Sequence, residues 1–175
     1  MRGMVFTIDL ASCTGCYTCR IACHDRAGTP DSVEWLRVEE HEAGVYPHPT
    51  LTYRPIHCFH CDAPICITVC PVKAISQGDE GWIIIDPGLC TGCGACRDAC
   101  PFDALVIGTD GIATGCDGCR DEVGLGWDPT CVRACPLRAL EYVPVPDSIR
   151  SGREHDPQFD DHGIGPRVVY LRRNT

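Results

Sequence analysis

The sequence predicts an α+β protein assembled from small, loop-rich units, each running from a cysteine-bearing loop through a short helix and a turn into a short strand. Three observations lead there. Sixteen of the 175 residues are cysteine, the sixteen fall into four runs of four, and three of those runs end in Cys-Pro followed by an alanine-led apolar stretch. With 18 Gly and 14 Pro besides, such a chain buries little apolar surface per residue. Groups held by the thiols are therefore expected to carry much of the folding free energy.

From the amino terminus, Val5 to Asp9 reads as a strand, with β-branched and aromatic residues leading into a turn. The first run follows as Cys13-x2-Cys16-x2-Cys19-x3-Cys23. Residues 24–57 hold no cysteine; an acidic segment gives way to an extended Pro/His-rich stretch, read as solvated loop or as an arm for a partner. The second run is Cys58-x2-Cys61-x4-Cys66-x3-Cys70 and the third is Cys90-x2-Cys93-x2-Cys96-x3-Cys100, with a strand at Trp82 to Asp86 between them. Leu105 to Ile107 is the next strand. The fourth run, Cys116-x2-Cys119-x11-Cys131-x3-Cys135, contains a helix start at Asp128-Pro129. Asp128 is expected to cap that helix from Pro129 onward, placing Cys131 and Cys135 on one face. Leu140 to Val143 is a further strand. In residues 144–175, Val168, Val169, Tyr170 and Leu171 interrupt a polar tail, read as a frayed terminus or a partner contact.

The runs echo one another. CTGCYTCRIAC from Cys13 and CTGCGACRDAC from Cys90 agree at eight of eleven positions. PVKAI, PFDAL and PLRAL follow Cys70, Cys100 and Cys135, so a helix stopped by proline and a strand starting at alanine are expected three times.

Roughly 9% cysteine means disulfides, zinc sites or iron–sulfur clusters. Disulfides need an oxidising compartment, and MRGMVFTIDL has no basic region, apolar stretch and cleavage site. Zinc uses paired Cys-x-x-Cys knuckles, whereas these thiols come as triplets plus a fourth. That pattern suits a cubane cluster: one curled Cys-x-x-Cys-x-x-Cys loop supplies three thiolates, and the last cysteine of each run ligates the neighbouring cluster. Sixteen cysteines then hold four 4Fe-4S clusters in two ferredoxin-like units. Spacing alone does not say which runs pair.

Charge and hydropathy narrow the function. The formal net charge is −9, and four oxidised clusters with their thiolates take it to roughly −17, which excludes a nucleic-acid partner. No stretch approaches the roughly 18 apolar residues of a membrane span, so membrane contact is expected only through a partner. No phosphate-cradling glycine loop is present, and the chain shows no place for a substrate.

With its four blocks, the gaps before Cys66 and Cys131 and the phrase HCFHCDAPIC, the chain resembles the four-cluster iron–sulfur subunits of dimethyl sulfoxide reductase-type molybdopterin oxidoreductases. The resemblance covers residues 5–143 and implies a nested fold. One ferredoxin-like unit, residues 1–56 plus 105–145, carries runs one and four; the other, residues 57–104, is inserted with runs two and three; residues 146–175 form a partner-contacting tail. It also implies the ligand sets. Cys13, Cys16, Cys19 and Cys135 hold one cluster, and Cys23, Cys116, Cys119 and Cys131 its neighbour. Cys58, Cys61, Cys66 and Cys100 hold a third, and Cys70, Cys90, Cys93 and Cys96 the fourth.

The expected function is thus non-catalytic: single electrons pass between a large molybdopterin (Mo or W) subunit and a quinone-linked membrane anchor subunit or soluble carrier. The alternatives are a free polyferredoxin and an adaptor of a formate dehydrogenase or hydrogenase complex. With no signal in the sequence, a cytoplasmic location is expected, the alternatives being export folded on a partner with a twin-arginine signal or attachment to a membrane through a partner.

Other residues have simpler readings. His57 and His60 bracket Cys58 and are expected to hydrogen-bond cluster sulfur or face a partner rather than ligate iron. Lys73, the only lysine, reads as a surface residue. Asp9, Asp86 and Asp103 read as turn and cap residues, and Trp35, Trp82 and Trp127 as packing.

Overall fold

A computed structural model describes residues 3–145 and 151–173. Ten strands and five short helices follow one another among these residues. Strand β1 (Met4–Asp9) leads through the first cysteine loop into α1 (Thr18–Ala27), where Cys19 and Cys23 lie four apart on the buried face. Gly28, in the left-handed conformation at φ 60°, ends this helix by donating its N–H to His24 O at 3.0 Å.

Within residues 24–57, read as solvated loop or as an arm for a partner, residues 36–57 form a long antiparallel ribbon. Its strands are β2 (Leu36–Val45) and β3 (His48–His57), paired from Leu36↔His57 to Val45↔His48. The root is buried at Leu36 and Ile56, while Val45 and Tyr46 at the tip are almost fully exposed.

The next two segments repeat one plan. Helix α2 (Ile65–Thr68) precedes the hairpin β4 (Ile75–Gln77) and β5 (Ile83–Ile85), and α3 (Ala95–Ala99) precedes the hairpin β6 (Leu105–Ile107) and β7 (Ala113–Gly115). Two further helices, α4 (Arg120–Gly124) and α5 (Thr130–Ala134), belong to the fourth run. Each proline stop works as expected: α2, α3 and α5 end before Cys70-Pro71, Cys100-Pro101 and Cys135-Pro136, and the strands begin one residue after Ala74, Ala104 and Ala139. Lys73, Asp103 and Arg138 each take positive φ, near 50°, to turn the chain. Helix α1 packs on α5 and α2 on α3.

One capping expectation is corrected. Helix α5 starts at Thr130, and Pro129 occupies the cap position with no side-chain hydrogen bond. Asp128 precedes a proline, which pushes its backbone toward extended geometry; its carbonyl accepts from Arg133 Nε at 2.9 Å instead.

The carboxy-terminal apolar residues also fall elsewhere than in a frayed tail. Strand β8 (Leu140–Pro144) pairs antiparallel with β1, and β10 (Val168–Arg173) pairs parallel with β1 on its other side, with β9 (Arg153–His155) beyond. Tyr170 and Leu171 are core residues. The segment entering β10 is laced to the second run as well: Asp62 N and Ala63 N donate to Gly165 O and Ile164 O, and Arg167 N donates to Phe59 O. Residues 151–173 therefore clasp the sheet to the chain around Cys58 and Cys61. Residues 146–150 and 174–175 of the expected tail lie outside the described residues.

The aspartates expected in turns are there. Asp9 accepts from Ala11 N and Ser12 Oγ, Asp86 from Gly88 N, and Asp103 adopts the left-handed turn conformation.

Candidate functional site

The local chain geometry shapes each cysteine loop. In the repeated CTGC segment, Gly15 and Gly92 hold φ 65° and 66°, and a side chain at Gly92 would stand 1.9 Å from Gly111 O. Only glycine fits between Cys90 and Cys93. Gly118 plays the same part between Cys116 and Cys119, at φ 70°.

All sixteen cysteines are free thiols, so none is consumed in a disulfide. Cys13, Cys16, Cys19 and Cys135 line one small cavity together with Val38 and Leu140. Cys70, Cys90, Cys93 and Cys96 line another, with Ala74 and Ile75. The other eight thiols are located by the effect each has on its neighbours. Burial raises the Cys23 thiol to about 12, with Cys119 adding to it, and raises Cys116 and Cys131 far above the ordinary range, with Cys23 again adding. Burial likewise takes Cys61 to about 12 and Cys66 to about 11, with repulsion from Cys100 adding to both. Cys58 is raised by burial and then by Cys66, Cys61 and Cys100. Two fourth cysteines, Cys70 and Cys135, thus line a cavity with three cysteines of another run.

The chemistry of these donors fits clusters. Buried thiols crowded together resist ionisation, since each thiolate would repel the next; positive iron among them removes that obstacle. Backbone amides already point at sulfur: Ala74 N donates to Cys70 Sγ and Ala139 N to Cys135 Sγ, both at 3.2 Å, and Ala113 N to Cys90 Sγ at 3.4 Å. Such N–H bonds stabilise thiolates and tune cluster potential. Among the described residues no three His, Cys, Asp or Glu side chains meet as ligands of a single metal ion.

Both histidines are completely buried, so neither faces a partner. His57 Nδ1 donates to Cys58 O at 2.8 Å. His60 Nδ1 accepts from Ile83 N at 3.0 Å and lies 3.9 Å from Cys58 Sγ, which leaves its proton on Nε2. Burial lowers His57 to about 4 and His60 to about 3, so both are neutral. Their Nε2 atoms, and Nε1 of Trp82, are buried without a protein hydrogen-bond partner, as expected of groups built to face something other than protein. Lys73 is exposed, as expected.

One residue gave no signal in the sequence. Arg26, at the end of α1, pairs with Asp117 at 3.0 Å and also with Asp121, and its charge favours the thiolate forms of Cys23 and Cys119. A pairing across 91 residues leaves no mark on local spacing.

Clustered thiols, most of them out of solvent and several accepting backbone amides, define an iron–sulfur protein of the electron-transfer class. Family models described as 4Fe-4S dicluster domains match residues 12–74 and 49–144. The chain is 38% identical over 154 residues to the B chain of the anaerobic dimethyl sulfoxide reductase of Escherichia coli, covering 83% of this chain and 75% of that one. It is 38% identical to the Haemophilus influenzae protein of the same name, with 83% and 76% covered. To the B subunit of the tetrathionate reductase of Salmonella typhimurium it is 34% identical, with 94% and 70% covered. The chain belongs to the 4Fe-4S dicluster family, among the iron–sulfur electron-transfer subunits of dimethyl sulfoxide reductase-type oxidoreductases.

Proposed function

We propose that the chain holds four 4Fe-4S clusters in two nested ferredoxin-like units and carries electrons between a molybdopterin subunit and a second redox partner. Cys13, Cys16, Cys19 and Cys135 would hold one cluster; Cys23, Cys116, Cys119 and Cys131 the next; Cys58, Cys61, Cys66 and Cys100 a third; Cys70, Cys90, Cys93 and Cys96 the last. The observation that carries this reading is that Cys13, Cys16, Cys19 and Cys135 line one cavity and Cys70, Cys90, Cys93 and Cys96 another, each joining three cysteines of one run to one from another. Nesting is supported by the contacts of α1 with α5 and of α2 with α3, and by the pairing of β1 with β8.

Bound, the clusters supply reversible one-electron redox chemistry. The chain's own residues do the rest. Thiolates fix each centre, backbone amides hydrogen-bond the sulfurs, and Arg26 adds positive charge near Cys23 and Cys119. The sets also form a row. Cys58 and Cys116 line one cavity, which supports contact between the second and third sets, and Cys23 adjoins the first through α1, which it shares with Cys19. Cys16 and Cys93, in the first and fourth sets, are exposed while the inner sets are covered, an arrangement suited to exchange at two ends.

The relatives are B chains of reductases, which supports a large molybdenum- or tungsten-containing partner at one end. A membrane anchor subunit or a soluble carrier would serve the other. Among the described residues no helix is long and apolar enough to cross a membrane.

Serine substitutions at cysteines of the first two sets test the assignment. Cys135→Ser and Cys13→Ser should remove or shift the same signal in the electron paramagnetic resonance of the reduced protein, and Cys131→Ser a different one. Loss of the same signal from Cys135→Ser and Cys131→Ser would overturn the crossed sets.

A further inference from the structure

Trp82 stands where the second and fourth runs meet. It is buried immediately ahead of β5, with its ring edge-to-face on His60 at 4.8 Å and 85°. His60 is itself enclosed between Cys58 and Cys61 and tied to the same strand by the Ile83 amide. On its other side the indole lies on the backbone of Gly118, between Cys116 and Cys119, so closely that a Cβ there would come within 2.2 Å of the ring. Tyr142 of β8 stacks against the indole at 5.8 Å and 27°. His60, Trp82 and the Gly118 backbone thus form one continuous packed column from the Cys58–Cys61 loop to the Cys116–Cys119 loop.

We infer that Trp82 is a positioning residue for electron exchange between the two units: it fixes the separation of these loops and keeps water out of the junction. The inference rests on the cluster reading above. With clusters bound, one electron would pass between the centre that Cys58, Cys61, Cys66 and Cys100 would hold and the one that Cys23, Cys116, Cys119 and Cys131 would hold, one oxidised as the other is reduced, with no bond made or broken and no proton moved. Gly118 supports the assignment. Its φ of 70° and the absence of a side chain are what let an indole seat directly on a ligand loop. A void in place of the ring would admit water and loosen both loops, which changes the burial that sets cluster potential.

The test uses the iron-loaded chain purified anaerobically with its partners, as wild type, Trp82→Leu, Trp82→Phe and Tyr142→Leu. Iron and sulfide are counted first, followed by potentiometric titration monitored by electron paramagnetic resonance. In Trp82→Leu the potentials of the two inner centres should shift and the spin–spin interaction between them weaken, while the outer centres stay put. Trp82→Phe, which keeps an aromatic ring, should restore most of both. Tyr142→Leu, which leaves the indole in place and removes only the ring stacked on it, should show a smaller shift of the same kind, and decides the matter if Trp82→Leu fails to assemble. Full iron in Trp82→Leu with all four potentials and the interaction unchanged would overturn the inference and leave the cluster reading intact. Absence of iron from the wild type would overturn both.

Discussion

Arg153 Nε lies 2.8 Å from both carboxylate oxygens of Asp9, closing an ion pair across 144 residues of sequence. Asp9 is almost completely buried at the end of β1, and Arg153 begins β9, so the pair ties the outermost strand of the sheet to the entrance of the first cysteine loop. Burial would raise the Asp9 carboxyl, but hydrogen bonds from Arg153, Ser12 and the Ala11 amide hold it below its usual range.

Removing Arg153 leaves that carboxylate short of its charged partner. The buried carboxylate would then stand without this cation, so Arg153→Ala should lower the melting temperature by a few degrees, read anaerobically by loss of visible absorbance. The pH dependence has a definite sign. A depressed folded-state pKa contributes stability above the unfolded value, so the advantage of wild type over Arg153→Ala should shrink as pH falls below about 4.

Ending the chain after Pro166 should abolish the folded protein. The cut removes β10, whose Val168, Tyr170 and Leu171 are buried, and burial of each such side chain is worth about 1.5–3 kcal/mol. Their sum rivals the total stability of an ordinary domain, about 5–15 kcal/mol. Tyr170→Phe isolates one contact, the hydrogen bond from Tyr170 OH to Pro55 O at 2.5 Å, and should cost about 1–2 kcal/mol with iron content unchanged. Yield of soluble, iron-containing protein checks the first, and thermal unfolding the second.

Gly92→Ala should cost one cluster and little else. Its Cβ would collide with Gly111 O, so the loop holding Cys90 and Cys93 cannot close, and about four of roughly sixteen irons should be missing. Gly28→Ala serves as the control. Gly28 has the same left-handed backbone but open space around it, so this change should cost about 1 kcal/mol and no iron. Iron analysis of the two variants separates the effects.

Much of this site was legible because cysteine chemistry is local. The runs, the proline stops at Pro71, Pro101 and Pro136 and the strand Leu105–Ile107 follow from spacing and turn chemistry, and each appears where that chemistry puts it. What the sequence hid is what depends on pairing. Residues 36–57 alternate too weakly to announce a ribbon, since its outer half is exposed on both faces and needs no apolar pattern. Val168 to Leu171 is a short apolar run at a polar end; only its parallel register with Phe6 to Asp9 makes it core. Arg26 and Trp82 act on cysteines far along the chain, a relation that no local window contains.

Whether one 19.1 kDa chain holds four cubane clusters is measured directly by native mass spectrometry of the anaerobically purified chain, since each bound cluster adds a fixed mass of iron and sulfide. A dominant species carrying four such increments is expected, with all sixteen thiols protected from alkylation. A dominant species with two increments, or one carrying zinc in their place, would contradict four-cluster binding.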